Sequence, residues 1–257
     1  SGATDGPPWF SAMNVAVISD IHANLPALEA VLAEIDEAAP DQIWCLGDAV
    51  GYGARPSECL EILNRRCDVF LVGNHDLAAT GAIDISAFSP GAAQSALWTR
   101  KNLSKADLEL LAGLQGTSAK REGFGLYHAS PRDPIWEYVV DTDLAEENLR
   151  SQEERIALIG HSHLALYFSQ ADEMSRTSAV QAGHGTSVEM TTGKWLLNPG
   201  SVGQPRDGDP RAAWLSLETE APAAEWHRVE YPIEQAAEQI RQAGLPGHLA
   251  DRLSQGH

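Results

Sequence analysis

Five short apolar runs, each ended by a polar patch, organise this chain as far as residue 163. They cover residues 15–19, 43–46, 69–72, 124–127 and 156–159. Short apolar runs bounded by glycine or polar residues predict buried strands. Between the first three runs the apolar spacing changes. Leu28, Val31, Leu32 and Ile35 share one helical face after Pro26, and a second helical stretch covers residues 56–66. Strand–helix alternation of this kind predicts parallel pairing with right-handed crossovers. Residues 77–91, rich in Ala, Gly and Ser, predict a loop. Helices are expected over 92–102 and 141–150, with another from a Ser104/Asp107 cap to near Gly113. Further on, residues 164–168, 187–191, 195–197, 212–217 and 225–231 read as strands separated by turn residues. They predict a second, more antiparallel sheet. Residues 232–243 form an amphipathic helical pattern and 245–253 a shorter one. The expected fold class is α+β or α/β, a four-layer α/β/β/α sandwich of two mixed sheets flanked by helices. It is expected as a single domain over 13–257, with its last helices in 232–253. Residues 1–12 read as a tag or a disordered tail ahead of Met13.

The polar patches carry the chemistry. They are Asp20-x-His22, Gly47-Asp48, Gly73-Asn74-His75-Asp76, His128 and Gly160-His161-Ser162-His163. Each directly follows an apolar run, so five strands are expected to deliver them from their carboxyl ends, where ligands of α/β sheets gather. Carboxylates, imidazoles and one amide, with no thiolate, suit a pair of hard or borderline divalent metals.

Charge and cysteine content narrow the function further. The formal net charge of −18 repels nucleic acids and anionic membranes, which argues against a polymer-binding face. It also repels phosphate substrates, so a phosphate site would need local positive charge of the kind metals supply. Three cysteines, Cys45, Cys59 and Cys67, lack C-x-x-C spacing, and Cys45 lies within an apolar run. They imply a reducing, cytoplasmic setting. No apolar run reaches the ~20 residues needed to span a membrane.

Taken in order, these patches resemble the signature set of the calcineurin-like metallophosphoesterases, and the match extends to Asn198-Pro199-Gly200-Ser201. Three loops are similar to those of small bacterial phosphodiesterases, among them the asymmetric diadenosine tetraphosphate hydrolase type. They are Asp48-x-x-Gly51-Tyr52-Gly53, His128-Ala129-Ser130-Pro131-Arg132-Asp133-Pro134 and the segment from Asn198 to Arg206. Ala129 departs from the family, where glycine is frequent, and so do the residues before Met13. The resemblance implies two divalent transition metals (Mn, Fe, Ni, Co or Zn, with Mn favoured) and a small phosphorylated substrate, nucleotide-like.

A metal pair needs a bridging carboxylate to offset charge repulsion. Asp48, alone after its strand between small residues, is the expected bridge. Asp20, His22 and His163 complete the first metal site, and Asn74, His128 and His161 the second. The resemblance implies the same distribution. Glycines 47, 73 and 160 are expected to permit unusual dihedrals and close approach. His75, beside Asn74, is left to face the substrate as proton donor, with a metal-bridging water or hydroxide as nucleophile. Tyr52, Arg132 and Arg206 are candidates for substrate binding, although loop arginines also form structural ion pairs. Asp76 is expected to cap the following helix. Asn24 reads equally as a turn residue or as an aid to ligand orientation, and Asn198–Ser201 as a rigid turn. The competing function is a non-catalytic interaction scaffold of the same fold. Such a protein would tend to lose ligands and His75, all of which are present here.

Overall fold

The computed structural model describes residues 12–114 and 116–257. Apart from Ala12, the stretch expected to be a tag or tail lies outside them. The strands are β1 (Asn14–Ile18), β2 (Gln42–Cys45), β3 (Val69–Phe70), β4 (Ser118–Arg121), β5 (Phe124–Tyr127), β6 (Ile156–Leu158), β7 (Ala165–Gln170), β8 (Ser178–Gln181), β9 (Ser187–Glu189), β10 (Lys194–Pro199), β11 (Ala212–Glu218) and β12 (Ala223–Val229). The helices are α1 (Leu25–Ala38), α2 (Pro56–Arg66), α3 (Asn74–Thr80), α4 (Pro90–Asn102), α5 (Lys105–Ala112), α6 (Thr142–Ser151), α7 (Ile233–Gln242) and α8 (Gly247–Asp251), followed by a 3₁₀ turn at Arg252–Ser254.

Two six-stranded mixed sheets form, in the orders β3-β2-β1-β11-β12-β9 and β4-β5-β6-β10-β7-β8. The crossover segments run parallel, β1 with β2 and β2 with β3, and β5 with β6 and β6 with β10. The side chains explain why these strands read as unbroken apolar runs. Val15 and Val17 point between the sheets, against Phe124, Leu126 and Leu158. Ala16 and Ile18 point outward, onto α1 and α7. The outer face of the second sheet, with Ala157, Leu196 and Phe168, is covered by Ala145 and Leu149 of α6. Strands buried on both faces need apolar residues at every position. The result is the α/β/β/α sandwich expected from the sequence.

The sheets do not divide the chain into halves. Strands β11, β12 and β9 extend the first sheet from the free edge of β1, pairing antiparallel. Strands β5 and β6 belong to the second sheet. Joining a late antiparallel pair to an early strand covers an edge that would otherwise stay open. Two strands escaped the hydrophobic pattern, β4 and β8, because both are mostly exposed edge strands with no apolar alternation. Part of the expected 77–91 loop is instead α3. Asp76 accepts the N–H of Gly73 at 2.9 Å and Ala79 packs into the core, so the helix is held at both ends.

Candidate active site

The five patches meet at the seam between the sheets. Asp20 and His22 follow β1, Asp48 follows β2, and Asn74 and His75 follow β3. From the other sheet come His128 after β5 and His161 and His163 after β6. All eight side chains are buried, none more than 5% exposed. The sharp turns that aim them inward fall on the clustered residues themselves. Asp20, His22, Asp48, His161 and His163 have φ between 49° and 66°, the left-handed region that costs energy for residues other than glycine. Among the glycines expected to bend, Gly47 does so (φ +104°). Gly73 serves by close approach, since a Cβ there would lie 2.0 Å from Asp48 Oδ1.

Asp20, Asp48, His22, His128 and His163 are each tied by one atom and present another to the centre. Asp20 Oδ2 accepts from Ser19 Oγ at 2.7 Å and from the His161 N–H at 3.0 Å, while Oδ1 has no partner. Asp48 Oδ1 accepts the His75 N–H at 2.9 Å, while Oδ2 has none. The Nδ1 atoms of His22, His128 and His163 lie 3.1, 3.0 and 2.7 Å from the carbonyls of Val50, Leu46 and Gln204. Carbonyl contacts of this kind set the tautomer and turn Nε2 toward the centre. There the free atoms converge. His163 Nε2 is 3.3 Å from Asp20 Oδ1 and 2.9 Å from His22 Nε2. Asp48 Oδ2 lies 3.6 Å from His22 Nε2 and 3.5 Å from His128 Nε2, and His128 Nε2 is 3.1 Å from Asn74 Oδ1. His161 Nε2 is buried without a partner. Donor atoms of Asp20, His22 and His163 form one group, and those of Asp48, His128 and His161 another. An unpaired buried carboxylate costs several kcal/mol. Buried oxygens and nitrogens left facing one another fit cations. Besides the arrangement expected for His75, the structure brings a ring nitrogen of this residue into a third group with His22 and Asp48.

The electrostatics point the same way. Burial pushes the Asp48 carboxyl well above the usual carboxylate range, and the charges of Asp76 and Asp20 add to the shift. Burial raises Asp76 to about 6 against the backbone N–H donors of Gly73, Val50 and Ala49. At Asp20 burial acts in the same sense but is outweighed, chiefly by His163, and the carboxyl stays well below its ordinary value. Burial also lowers the imidazoles, His163 to about 4 and His22, His75 and His161 well below the free value. These shifts favour neutral imidazoles, with lone pairs available, and the protonated form of the Asp48 carboxyl. A divalent metal binding here competes with that proton, so affinity should rise with pH and binding should release protons from this carboxyl. Calorimetry in buffers of different ionisation enthalpy reads this release. Asp48→Asn should abolish it, and an unchanged release in the variant would place the proton elsewhere.

The three candidates for substrate binding separate. Tyr52 packs against His22 and His75, with ring centroids 4.8 and 4.4 Å away. Arg206 lies over Tyr52, with Cζ 5.6 Å from the ring centre. Arg132 instead pairs with Glu147, and at 3.6 Å with Glu137, on the α6 side. Three aromatic residues beside the cluster carry no signal in the sequence. Phe88 stands 4.8 Å from His75, Trp136 packs on Phe88, and Tyr138 stacks on His161 at 4.0 Å. They sit in irregular segments, where no periodicity marks them. Asp76 also accepts N–H bonds from Ala49 and Val50, so it ties the Asp48 loop as well as capping α3. Asn24 caps α1 and donates to Gly203 O. Asn198 Nδ2 donates to Gly160 O at 2.9 Å and Ser201 Oγ to Asp20 O at 2.7 Å, so their turn braces the loops after β6 and β1. A cavity of about 670 Å³ lies at the far end of β1, and no residue of the cluster lines it.

The family model of the calcineurin-like phosphoesterase superfamily domain matches residues 13–220. The chain belongs to this superfamily. The calcineurin-like phosphoesterases depend on divalent metals, and the clustered His and Asp groups here could hold them. The chain is 36% identical to an uncharacterized protein of Methanocaldococcus jannaschii, over 94% of this chain and 98% of that one. A metallophosphoesterase from Sphaerobacter thermophilus shares the fold with a TM-score of 0.86 and 39% identity, covering 96% of this chain and 100% of that one. A symmetrical bis(5'-nucleosyl)-tetraphosphatase of Actinobacillus pleuropneumoniae is 26% identical over 167 residues, 63% of this chain and 58% of that protein. That relative is of the symmetrical class, whereas the loop motifs resemble the asymmetric type.

Proposed function

We propose that this calcineurin-like phosphoesterase is a two-metal-dependent hydrolase of phosphate esters or anhydrides. The domain over 13–257 would act in the cytoplasm on a nucleotide-like small molecule, such as a diadenosine polyphosphate or a cyclic nucleotide. The convergence of Asp20 Oδ1, Asp48 Oδ2 and His161 Nε2, buried and without partners, carries this reading. Asp20, His22 and His163 would hold one ion and Asn74, His128 and His161 the other, with Asp48 between them. Oxygen and imidazole donors accept Mn, Fe, Ni, Co or Zn, and Mn is favoured. When bound, such a pair acidifies water toward neutral pH and offsets phosphate charge. The chain does the rest. The carbonyls of Val50, Leu46 and Gln204 keep the imidazoles aimed. His75 meets the phosphate oxygens and the leaving oxygen, and Tyr52 and Arg206 hold the substrate beyond them. The tetraphosphatase relative and the positive charge of Arg206 support a nucleotide, and three free cysteines support a reducing setting.

The test is a panel of nucleotides and aryl phosphodiesters with chelated and Mn-loaded protein. Activity should vanish on chelation and return with Mn. Protein carrying both ions yet inert on every substrate would favour the scaffold instead.

The split between the arginines yields a further expectation. Arg206→Ala should raise KM for a nucleotide about 10- to 100-fold more than for a small aryl phosphate, because one charged contact is worth roughly 1.5–3 kcal/mol. Arg132→Ala should change both alike. If Arg132→Ala discriminated and Arg206→Ala did not, the substrate would lie on the α6 side.

A further inference from the structure

We propose that Arg252, in the 3₁₀ turn after α8, joins Arg206 beside the candidate metal cluster to hold a second phosphate group, so that the substrate carries a polyphosphate chain. This rests on the phosphoesterase reading above and narrows its substrate to a nucleoside or dinucleoside polyphosphate.

The chain after α8 folds back onto the loop that carries Arg206. The Gly208 N–H donates to Gly256 O at 3.0 Å, and Gly256 packs on Asp209 so closely that a Cβ there would lie 2.9 Å from its backbone. His257 shares a groove wall with Arg206. Leu253 lines a small cavity with His22, Tyr52 and Gln204. Arg252 is held between these anchors, and its Nε–H donates to His257 O. From Arg206 the contacts run on to the cluster. The Arg206 N–H donates to His163 O at 3.1 Å, and Arg206 Cζ lies 5.6 Å from the centre of the Tyr52 ring, which packs on His22 and His75.

The two guanidinium groups face no carboxylate. Among the described residues neither makes an ion pair, because the acids nearest in the chain are taken. Asp207 pairs with Arg228, Asp209 with Arg211 and Asp251 with Arg241. Arg206 donates Nη2 to Gln204 Oε1 at 2.7 Å, while its Nη1 and both Nη atoms of Arg252 have no partner among the described residues. Both side chains are only half-buried, and these three nitrogens keep access to solvent. Burial, then the charge of Arg206, pushes the Arg252 guanidinium below its ordinary range, and Tyr52 and Tyr138 oppose that shift. Like charges placed together repel, and an anion between them removes the repulsion. Guanidinium forks match the oxygens of phosphate. The reacting phosphate belongs at the cluster, so a phosphate at the arginine pair is a further one. A cyclic nucleotide has a single phosphate and would leave the pair unused.

Arg252→Gln removes the charge and keeps most of the side-chain stem. Mn-loaded wild type and variant are compared on diadenosine tetraphosphate, with products separated by chromatography, and on adenosine 5'-(p-nitrophenyl) phosphate, which has one phosphate. KM for the tetraphosphate should rise about 10- to 100-fold more than KM for the one-phosphate ester, the size expected for one charged hydrogen bond. Arg252→Lys keeps the charge without the fork and should recover part of the difference. Calorimetry with inorganic tripolyphosphate on metal-free protein should show a matching loss of affinity in Arg252→Gln. The melting temperature of this variant should not fall, since the change relieves repulsion with Arg206. Equal effects on both substrates, or none on either, would overturn the proposal. A loss of tripolyphosphate affinity with both KM values unchanged would also overturn it, because the pair would then hold a free anion and not the substrate. Failure of the phosphoesterase reading looks different, because Mn-loaded wild type would hydrolyse neither substrate. The tripolyphosphate titration would still decide whether the arginine pair binds phosphate.

Discussion

Asp48→Asn should bind at most one of the two proposed divalent ions and lose at least ~10³-fold of the proposed phosphodiesterase rate. The charge balance sets the size of the effect. Asp48 Oδ2 stands between His22 Nε2 and His128 Nε2, at 3.6 and 3.5 Å, so this carboxyl lies next to both halves of the cluster. A metal clamp on a phosphoryl group supplies several kcal/mol of transition-state stabilisation, and each 1.36 kcal/mol is a factor of ten. Asparagine preserves the shape and can still accept the His75 N–H, so the fold should survive. The variant also removes a buried carboxyl that desolvation disfavours, so thermal stability of the metal-free protein should not fall. Metal counting by mass spectrometry and circular dichroism read the two sides. Retention of both ions at full occupancy would end the bridging role.

His75→Ala should keep both ions and lose ~10²–10⁴-fold of the rate on substrates with an alkoxide leaving group, the usual worth of general acid help. The loss should be shallower for a nitrophenolate, which departs without a proton. The structure makes this comparison more pointed. Burial, then the charge of Arg206, holds the His75 imidazole well below its free value. A group with a lowered pKa carries its proton only at low pH and loses it as pH rises through the folded value. Proton donation near neutrality therefore requires the negative charge of a bound phosphate to draw the proton back. A neutral ring could still offer one N–H to a phosphate oxygen, and the rate would then fall equally for both leaving groups. Loss of a metal ion in the variant would make His75 a ligand, which its grouping with His22 and Asp48 allows. Rates on both substrates, with metal content measured in parallel, separate the three outcomes.

The helix spacing of Leu28, Val31, Leu32 and Ile35, the cap at Ser104 and Asp107, and the apolar runs before each polar patch were all legible in order along the chain. Each is a local signal. A helix face and a strand buried on both sides must be apolar whatever they pack against, and a cap is satisfied within one turn. The patches were legible for the same reason, because chemistry at a strand's carboxyl end is written directly after the strand. Tertiary structure decided what depends on remote partners. Strands β4 and β8 exist because β5 and β7 offer open edges, not because their own exposed residues demand it. Which sheet holds β11 and β12 follows from the free edge of β1. Arg132 and Arg206 sit in similar-looking motif loops, yet Glu147 claims the first and the Tyr52 ring receives the second. The left-handed backbone at Asp20, His22, Asp48, His161 and His163 is likewise imposed from outside. Carbonyls and N–H groups of neighbouring loops hold each residue in a conformation it would not choose alone, and no residue's own identity announces that cost.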